Sequence, residues 1–316
     1  MNSVIMKKVV LIVTAILLMF GYKTFGQTDI ALTTHWYNRV NYNPASIVRE
    51  GYIYFFSNIQ KQWVGIEGSP TVYNFQASGY SERSKSAIGI SLTRDEIGVT
   101  AATNPMFQYA YKVELNENLN LALGVSAGIY SRKVNGSVYE AETVFDPILD
   151  YSDEKYTSPD ADVGAELQGQ HFMAGISLTH LFSIWKAEDL FLISNHRYAY
   201  ALYKNSESEL YNITAGIQVA NRKNLTIIEG TAIVRFKRPT GLIKGPTELF
   251  DFGFSIRSVK QLTLISGINV TPNMRIGYTY DFDFSNNVNE SGTHEIILEY
   301  RIPLIIKEDT GLKWYD

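Results

Sequence analysis

The stretch Leu119-Asn120-Leu121-Ala122-Leu123-Gly124-Val125-Ser126-Ala127-Gly128-Ile129-Tyr130 decides the fold. Successive side chains of a strand point to opposite faces, so Leu119, Leu121, Leu123, Val125, Ala127 and Ile129 share one face. Asn120, Ala122, Gly124, Ser126, Gly128 and Tyr130 share the other. One face is apolar, and the other is mostly small or polar. The same period recurs at Ile88, Ile90 and Leu92 against Gly89, Ser91 and Thr93, and again from Tyr211 to Ala220. Near the C-terminus, Phe250, Phe252, Phe254 and Ile256 oppose Asp251, Gly253, Ser255 and Arg257. Met274, Ile276, Tyr278, Tyr280, Phe282 and Phe284 oppose Arg275, Gly277, Thr279, Asp281 and Asp283.

A soluble sandwich also alternates, but its strands are short, near 5–6 residues, and its outer face carries bulky charges. The runs here extend over roughly 9–13 residues, which suits a bilayer crossing of ~9–11 residues at a tilt. Small residues on the polar face suit a crowded lumen. The reading is therefore all-β: a transmembrane antiparallel up-and-down β-barrel. Strand signals between turn signals number about fourteen. They lie near 51–63, 70–80, 86–94, 104–115, 119–132, 162–168, 170–180, 196–204, 210–221, 224–237, 247–258, 261–270, 273–285 and 293–302. An even count puts both barrel ends in the periplasm, with short turns there and long loops outside. One pair breaks that rule, the short Asn221-Arg222-Lys223 turn and the longer Arg238–Gly245 connection, so twelve strands stays open.

Composition agrees. The chain has 21 Tyr, 16 Phe and 4 Trp in 316 residues, residues favoured in strands and at membrane–water interfaces. Mean hydropathy is nonetheless −0.09, because lipid-facing and lumen-facing residues cancel in any average. Lys7 and Lys8 precede an apolar run from Val9 to Gly21, and Thr24-Phe25-Gly26 offers a small residue before Gln27. This pattern predicts a signal peptide over 1–26, since the run is shorter than the ~20 residues of a spanning helix. A periplasmic N-terminal segment (27–50), the barrel (51–302) and a C-terminal tail (303–316) complete the expected organisation. The net charge is −4, and removal of Lys7, Lys8 and Lys23 makes it more negative, so nucleic acid is not an expected partner. With no Cys, neither disulfides nor lipid attachment at a processed N-terminal Cys is expected.

Several segments, in order along the chain, resemble the PorP/SprF family of outer-membrane proteins of the type IX secretion system. Tyr42-Asn43-Pro44-Ala45 is similar to the family's NPA signature, and Gln62-Trp63-Val64-Gly65 with Gly68-Ser69-Pro70 to its QWxGxxGxP signature. Further matches are Asp95-Glu96-Ile97-Gly98, Tyr109-Ala110-Tyr111 and Leu121–Gly124. Ile276-Gly277-Tyr278-Thr279-Tyr280-Asp281 and Gly292-Thr293-His294-Glu295-Ile296 follow near the end. The resemblance implies a Gram-negative outer-membrane component of that system, linked to gliding motility. It would assist secretion or surface anchoring of a large adhesin-like cargo, or dock periplasmic or outer-membrane type IX components. Its motif or partner residues would be Asn43, Pro44, Gln62, Trp63, Asp95, Gly98, Tyr109, Tyr111, Gly277, Tyr278, Tyr280, Asp281, Gly292, His294 and Glu295. Each also has a structural reading. Asn43-Pro44 starts a turn, Trp63 and Tyr111 are interface aromatics, and Asp281, Asp283, Glu295 and Arg301 form a lumen salt-bridge ladder. The alternative function is a general porin or small-solute channel.

Enzymatic chemistry is not expected. His35, His171, His180, His196 and His294 fall in no catalytic or zinc spacing, and no Gly-x-Ser-x-Gly occurs. Catalytic, cofactor and metal residues are accordingly expected to be none, with outer-membrane lipid and the secretion partners the only ligands. The acids Glu140, Glu142, Asp146, Asp150, Asp153, Glu154, Asp160 and Asp162 are read as one outer loop. A calcium site there is conceivable, but the spacing is not that of an EF-hand and a solvated loop is favoured.

Overall fold

The computed structural model describes residues 36–136, 152–185, 193–205, 207–222, 225–238, 248–284 and 292–304. Alternation has its expected result: the strands are β1 (Tyr52–Lys61), β2 (Thr71–Ser81), β3 (Ser86–Ile97), β4 (Thr100–Asn116), β5 (Leu119–Asn135), β6 (Asp153–Gly169) and β7 (Phe172–Thr179). They continue as β8 (His196–Asn205), β9 (Tyr211–Arg222), β10 (Leu225–Lys237), β11 (Glu248–Arg257), β12 (Gln261–Thr271), β13 (Met274–Asp283) and β14 (Thr293–Pro303). Each pairs with its sequence neighbours, and β1 pairs with β14 from Tyr52↔Pro303 to Lys61↔His294, closing the barrel. Closure removes the exposed edges that a membrane cannot tolerate.

The count is fourteen, so the twelve-strand alternative falls. The anomalous pair of connections is real: residues 223–224 join β9 to β10 at one end, and 238–247 join β10 to β11 at the other. The end that carries Tyr52 and Pro303 is called here the terminal end, and the opposite one the loop end. Residues 1–26, expected as a signal peptide, and most of the expected tail lie outside the described residues.

Apolar side chains face outward. Ile88, Ile90 and Leu92 of β3 are 59%, 51% and 43% exposed, whereas their neighbours Ala87 and Ala110 are fully buried. In this fold such exposure is contact with lipid. Charge at this surface loses hydration with no partner, so Ile90→Arg should destabilise the barrel by about 2–4 kcal/mol in lipid. Denaturant unfolding in vesicles measures it, and a cost below ~1 kcal/mol would remove Ile90 from the membrane's core.

Two expectations are corrected. The sequence places residues 27–50 in the periplasm, yet the described part, 36–50, packs inside the barrel: Trp36–Val40 and Tyr42–Arg49 are all buried. The acids Asp153, Glu154, Asp160 and Asp162 stand on β6 and not in a loop, because β6 begins nine residues earlier than its expected start at 162. Polar and charged residues there alternate without an apolar face, which reads as loop. Paired with β5 along its whole length, from Leu119↔Gly169 to Asn135↔Asp153, the segment is strand. The other four acids lie outside the described residues. With 17 residues each, β4–β6 span about 56 Å at ~3.3 Å per residue, and β6 runs on past the end of β7 toward the loop end, from Asp162 to Asp153.

Candidate functional site

The lumen is filled by the N-terminal segment, and its sequence explains how. Two short 3-10 turns, Arg39–Asn41 and Pro44–Ile47, fold the chain back on itself. Asn43 begins the second: its Oδ1 accepts from Ala45 N at 3.0 Å, and Pro44 takes the first position, where no N–H is needed. The same side chain donates to Ala165 O and to the Tyr200 hydroxyl, both at 3.0 Å, and so joins the plug to β6 and β8. The turn read from the sequence is therefore also a contact with the barrel wall.

The wall makes room with small residues. A Cβ on Gly124 would stand 2.2 Å from Ala45 N, and one on Gly164 would stand 2.0 Å from Asn43 Oδ1. These are approaches that only a missing side chain permits. Ile47 and Val48 pack with Ala110 and Ala122 on the same side.

Charged groups hold the remainder. Arg39 Nε lies 2.9 Å from Glu166 Oε2, and Glu166 also accepts from Gln168 at 2.7 Å and from the Tyr200 hydroxyl. The Tyr37 hydroxyl donates to Asp251, which also pairs with Arg275, whose guanidinium covers the Tyr37 ring at 4.3 Å. Burial raises the Tyr37 phenol far above its ordinary value, so it stays protonated and a donor. Trp36 Nε1 donates to Glu229 at 3.1 Å, and Glu229 pairs with Arg257 at 2.8 Å. At the terminal end, Glu50 lies 2.7 Å from Lys112. Buried charges that remain charged need such partners.

Losing the Asn43 side chain removes the cap and leaves a carbonyl and a phenol short of partners. Asn43→Ala should cost about 1–2 kcal/mol, read as a lower urea midpoint in detergent. An unchanged midpoint would mean that the plug does not contribute to stability.

The ladder of charges inside the barrel differs from expectation. Asp281 of β13 pairs with Arg257 of β11 at 3.5 Å, and Arg275 of β13 with Asp251 of β11. Both pairs skip β12; for Arg275–Asp251, Gly267 leaves the space, since a Cβ there would lie 2.4 Å from Asp251 Oδ1. Arg301 meets Glu299 on its own strand at 3.3 Å. Glu295 accepts from the amides of Asn58 and Gln60, and Asp283 from Gln261 at 3.1 Å.

The remaining motif residues separate into three places. Gln62, Trp63, Gly98 and Gly292 meet at the rim of the loop end. Gly98 N donates to Gly68 O at 2.8 Å, Val64 N donates to Gly292 O at 3.0 Å, and Gln62 Nε2 donates to Gln60 Oε1 at 2.9 Å. Gly98 and Gly292 have φ of 52° and 76°, the left-handed region that favours glycine. Trp63, with φ 47°, is half-buried in the same loop. Tyr109, Tyr111, Tyr278, Tyr280 and His294 are on the outer face, with Tyr278 Oη 2.7 Å from His294 Nδ1. Asp95, Gly277, Asp281 and Glu295 face the lumen. The acidic anchors Glu166, Glu229 and Asp251 were readable as lumen positions by alternation, but no local pattern names their partners in the plug.

Several solved structures are similar to this chain. The CymD monoaromatic hydrocarbon channel is 10% identical with a TM-score of 0.52, covering 84% of this chain and 92% of that one. The Ralstonia pickettii toluene transporter TbuX is 11% identical with a TM-score of 0.50, covering 84% and 93%. The Acinetobacter baumannii outer membrane protein Omp33 is 11% identical with a TM-score of 0.47, covering 80% and 99%. No curated protein matches the sequence. The family described as type IX secretion system membrane protein PorP/SprF matches residues 24–300; the chain belongs to that family and is a Gram-negative outer-membrane barrel.

Proposed function

We propose that the protein is a closed docking barrel of the type IX secretion machinery, which acts by binding and not by turnover. It assists secretion or surface anchoring of a large adhesin-like cargo, or holds periplasmic components, at the outer membrane. The observation that carries this reading is the plug. A passage for solutes needs a continuous wet lumen, whereas residues 36–50 occupy this one and are fixed by ion pairs to β4 and β6 and by hydrogen bonds to β8, β10 and β11. The motif loops gathered at the loop-end rim give a second, rigid surface for a partner. The solved relatives named as channels share the fold but not, on this reading, the open path.

Affinity capture of the tagged protein from detergent-solubilised outer membranes, followed by mass spectrometry, tests the proposal. Co-recovery of type IX components or of one large surface adhesin is expected. Recovery of the barrel alone, together with steady conductance in planar bilayers, would assign the protein to solute passage instead.

A further inference from the structure

β6 has 17 residues and β7 only 8, and their ladder ends toward the loop end at Val163↔Leu178. Beyond that point side chains replace main-chain bonds. Asp160 and Asp162 of β6 face His180, the residue that follows β7. His180 Nδ1 lies 2.7 Å from Asp160 Oδ2, and His180 N donates to Asp162 Oδ1 at 3.0 Å. One nitrogen or oxygen from each of the three residues lies within 4.8 Å of the others. His180 has a φ of 57°, a conformation that a non-glycine residue keeps only where its surroundings impose it. Asn104 Nδ2 donates to Asp160 Oδ2 at 2.9 Å and Ser126 Oγ to Asp162 Oδ2 at 2.5 Å, so both carboxylates are oriented from behind.

Two further observations point to a missing positive ligand. Asp162 and His180 line a lumen cavity of about 110 Å³, together with Asp95, Thr179 and His196, with no Lys or Arg among its lining residues. Asp160 and Asp162 have no ion pair other than His180 among the described residues. In addition, Thr179 Oγ1, on a side chain 4% exposed, has no hydrogen-bond partner among the described residues and lines the same cavity. A cavity of that volume has room for an ion with waters.

We propose that Asp160, Asp162 and His180 bind one divalent first-row transition ion of the zinc class, with cavity waters completing its shell. Two carboxylates and an imidazole suit such an ion; calcium requires six to eight oxygens, more than this set supplies. Nitrogen and oxygen ligands at ~2.0–2.1 Å from zinc stand ~3.3 Å apart in a tetrahedral shell. The ion therefore replaces the proton between His180 and Asp160 and opens the pair by about half an ångström. Bound there, it would tie the part of β6 that runs past β7 to the start of the 180–195 connection. The spacing along the chain conceals the site, since His180 is 18 and 20 residues from its partners and reaches them only through the β6–β7 hairpin.

The test uses the full mature chain, refolded in detergent, stripped with chelator and titrated with zinc chloride against a fluorescent zinc indicator. One equivalent is expected to bind, and Co²⁺ in its place is expected to give the visible bands of a four- or five-coordinate site. His180→Gln and Asp162→Asn should each weaken zinc binding by about tenfold or more. Asp153→Asn, on the same strand but paired with Lys133, should bind as the parent does. Heat-modifiable migration on gels shows which variants are folded. Absence of zinc binding by the folded parent, binding unchanged in folded His180→Gln, or calcium bound as tightly as zinc would each overturn the assignment. Should both variants fail to fold, the parent's stoichiometry and cobalt spectrum decide alone.

Discussion

Deleting residues 36–48 should convert an electrically silent barrel into one that passes ions in discrete steps across a planar bilayer. The expectation rests on what remains. The segment fills the space between Gly124, Gly164, Tyr200 and Asp251, and the ladders that close the wall involve none of its residues. Removing it leaves a fourteen-stranded lumen lined by polar and charged groups, which water enters as it enters a porin. Gly124→Val should produce a milder form of the same result. Its side chain would overlap the backbone of Pro44 and Ala45 and so displace the plug without deleting it. Both variants must first show the heat-modifiable migration of a folded barrel. A folded deletion variant that stays silent would mean that the wall closes on itself, and the docking reading would lose its main support.

Asp251→Ala should be the most damaging single substitution for stability, at about 3–5 kcal/mol. Asp251 is buried on β11, accepts from the Tyr37 hydroxyl and pairs with Arg275, itself only 5% exposed. Truncation leaves a buried guanidinium without its nearest carboxylate and a buried phenol without its acceptor; both penalties fall on the folded state alone. Asp251→Asn retains the acceptor oxygen for Tyr37 and should recover part of the loss. Equilibrium unfolding by urea in detergent micelles measures both. A loss below ~1 kcal/mol for the alanine variant would show that Arg275 finds another partner.

Much of this architecture was legible from period two alone. Leu119 to Tyr130 reads correctly to the residue, with Leu123, Val125 and Ile129 facing lipid and Ala122, Gly124 and Ser126 facing inward. Of the two connections that break the loop-length rule, the short one is shorter than expected: Asn221 and Arg222 are paired on β9, leaving 223–224 as the connection. The sequence reading failed where periodicity is absent. Trp36, Tyr37, Val40 and Ile47 follow neither a helical nor a strand period, because the plug is two 3-10 turns whose partners lie in distant strands. The outer half of β6 was missed for a related reason. Asp153–Asp162 has no apolar face to signal a strand, and it contains Pro159, which has no N–H to donate and sits where β6 lacks β7 as a partner. The candidate site was half visible. Asn43 and Glu295 were singled out, but the acids that bind the plug and the His180 cluster arise only when the barrel closes.

That closure constrains the order of assembly. Trp36 and Glu229 are 193 positions apart, and Tyr37 and Asp251 are 214. The seam itself joins the first strand to the last. Contacts of such separation form late and slowly, because the loop between them must be ordered before they are made. The first segment of the described chain is thus among the last to find its place, together with the seam between β1 and β14. The plug's contacts and the closed wall are thus made together at the end of folding, so damage to those contacts should appear first as slower recovery of the closed, heat-modifiable form during refolding.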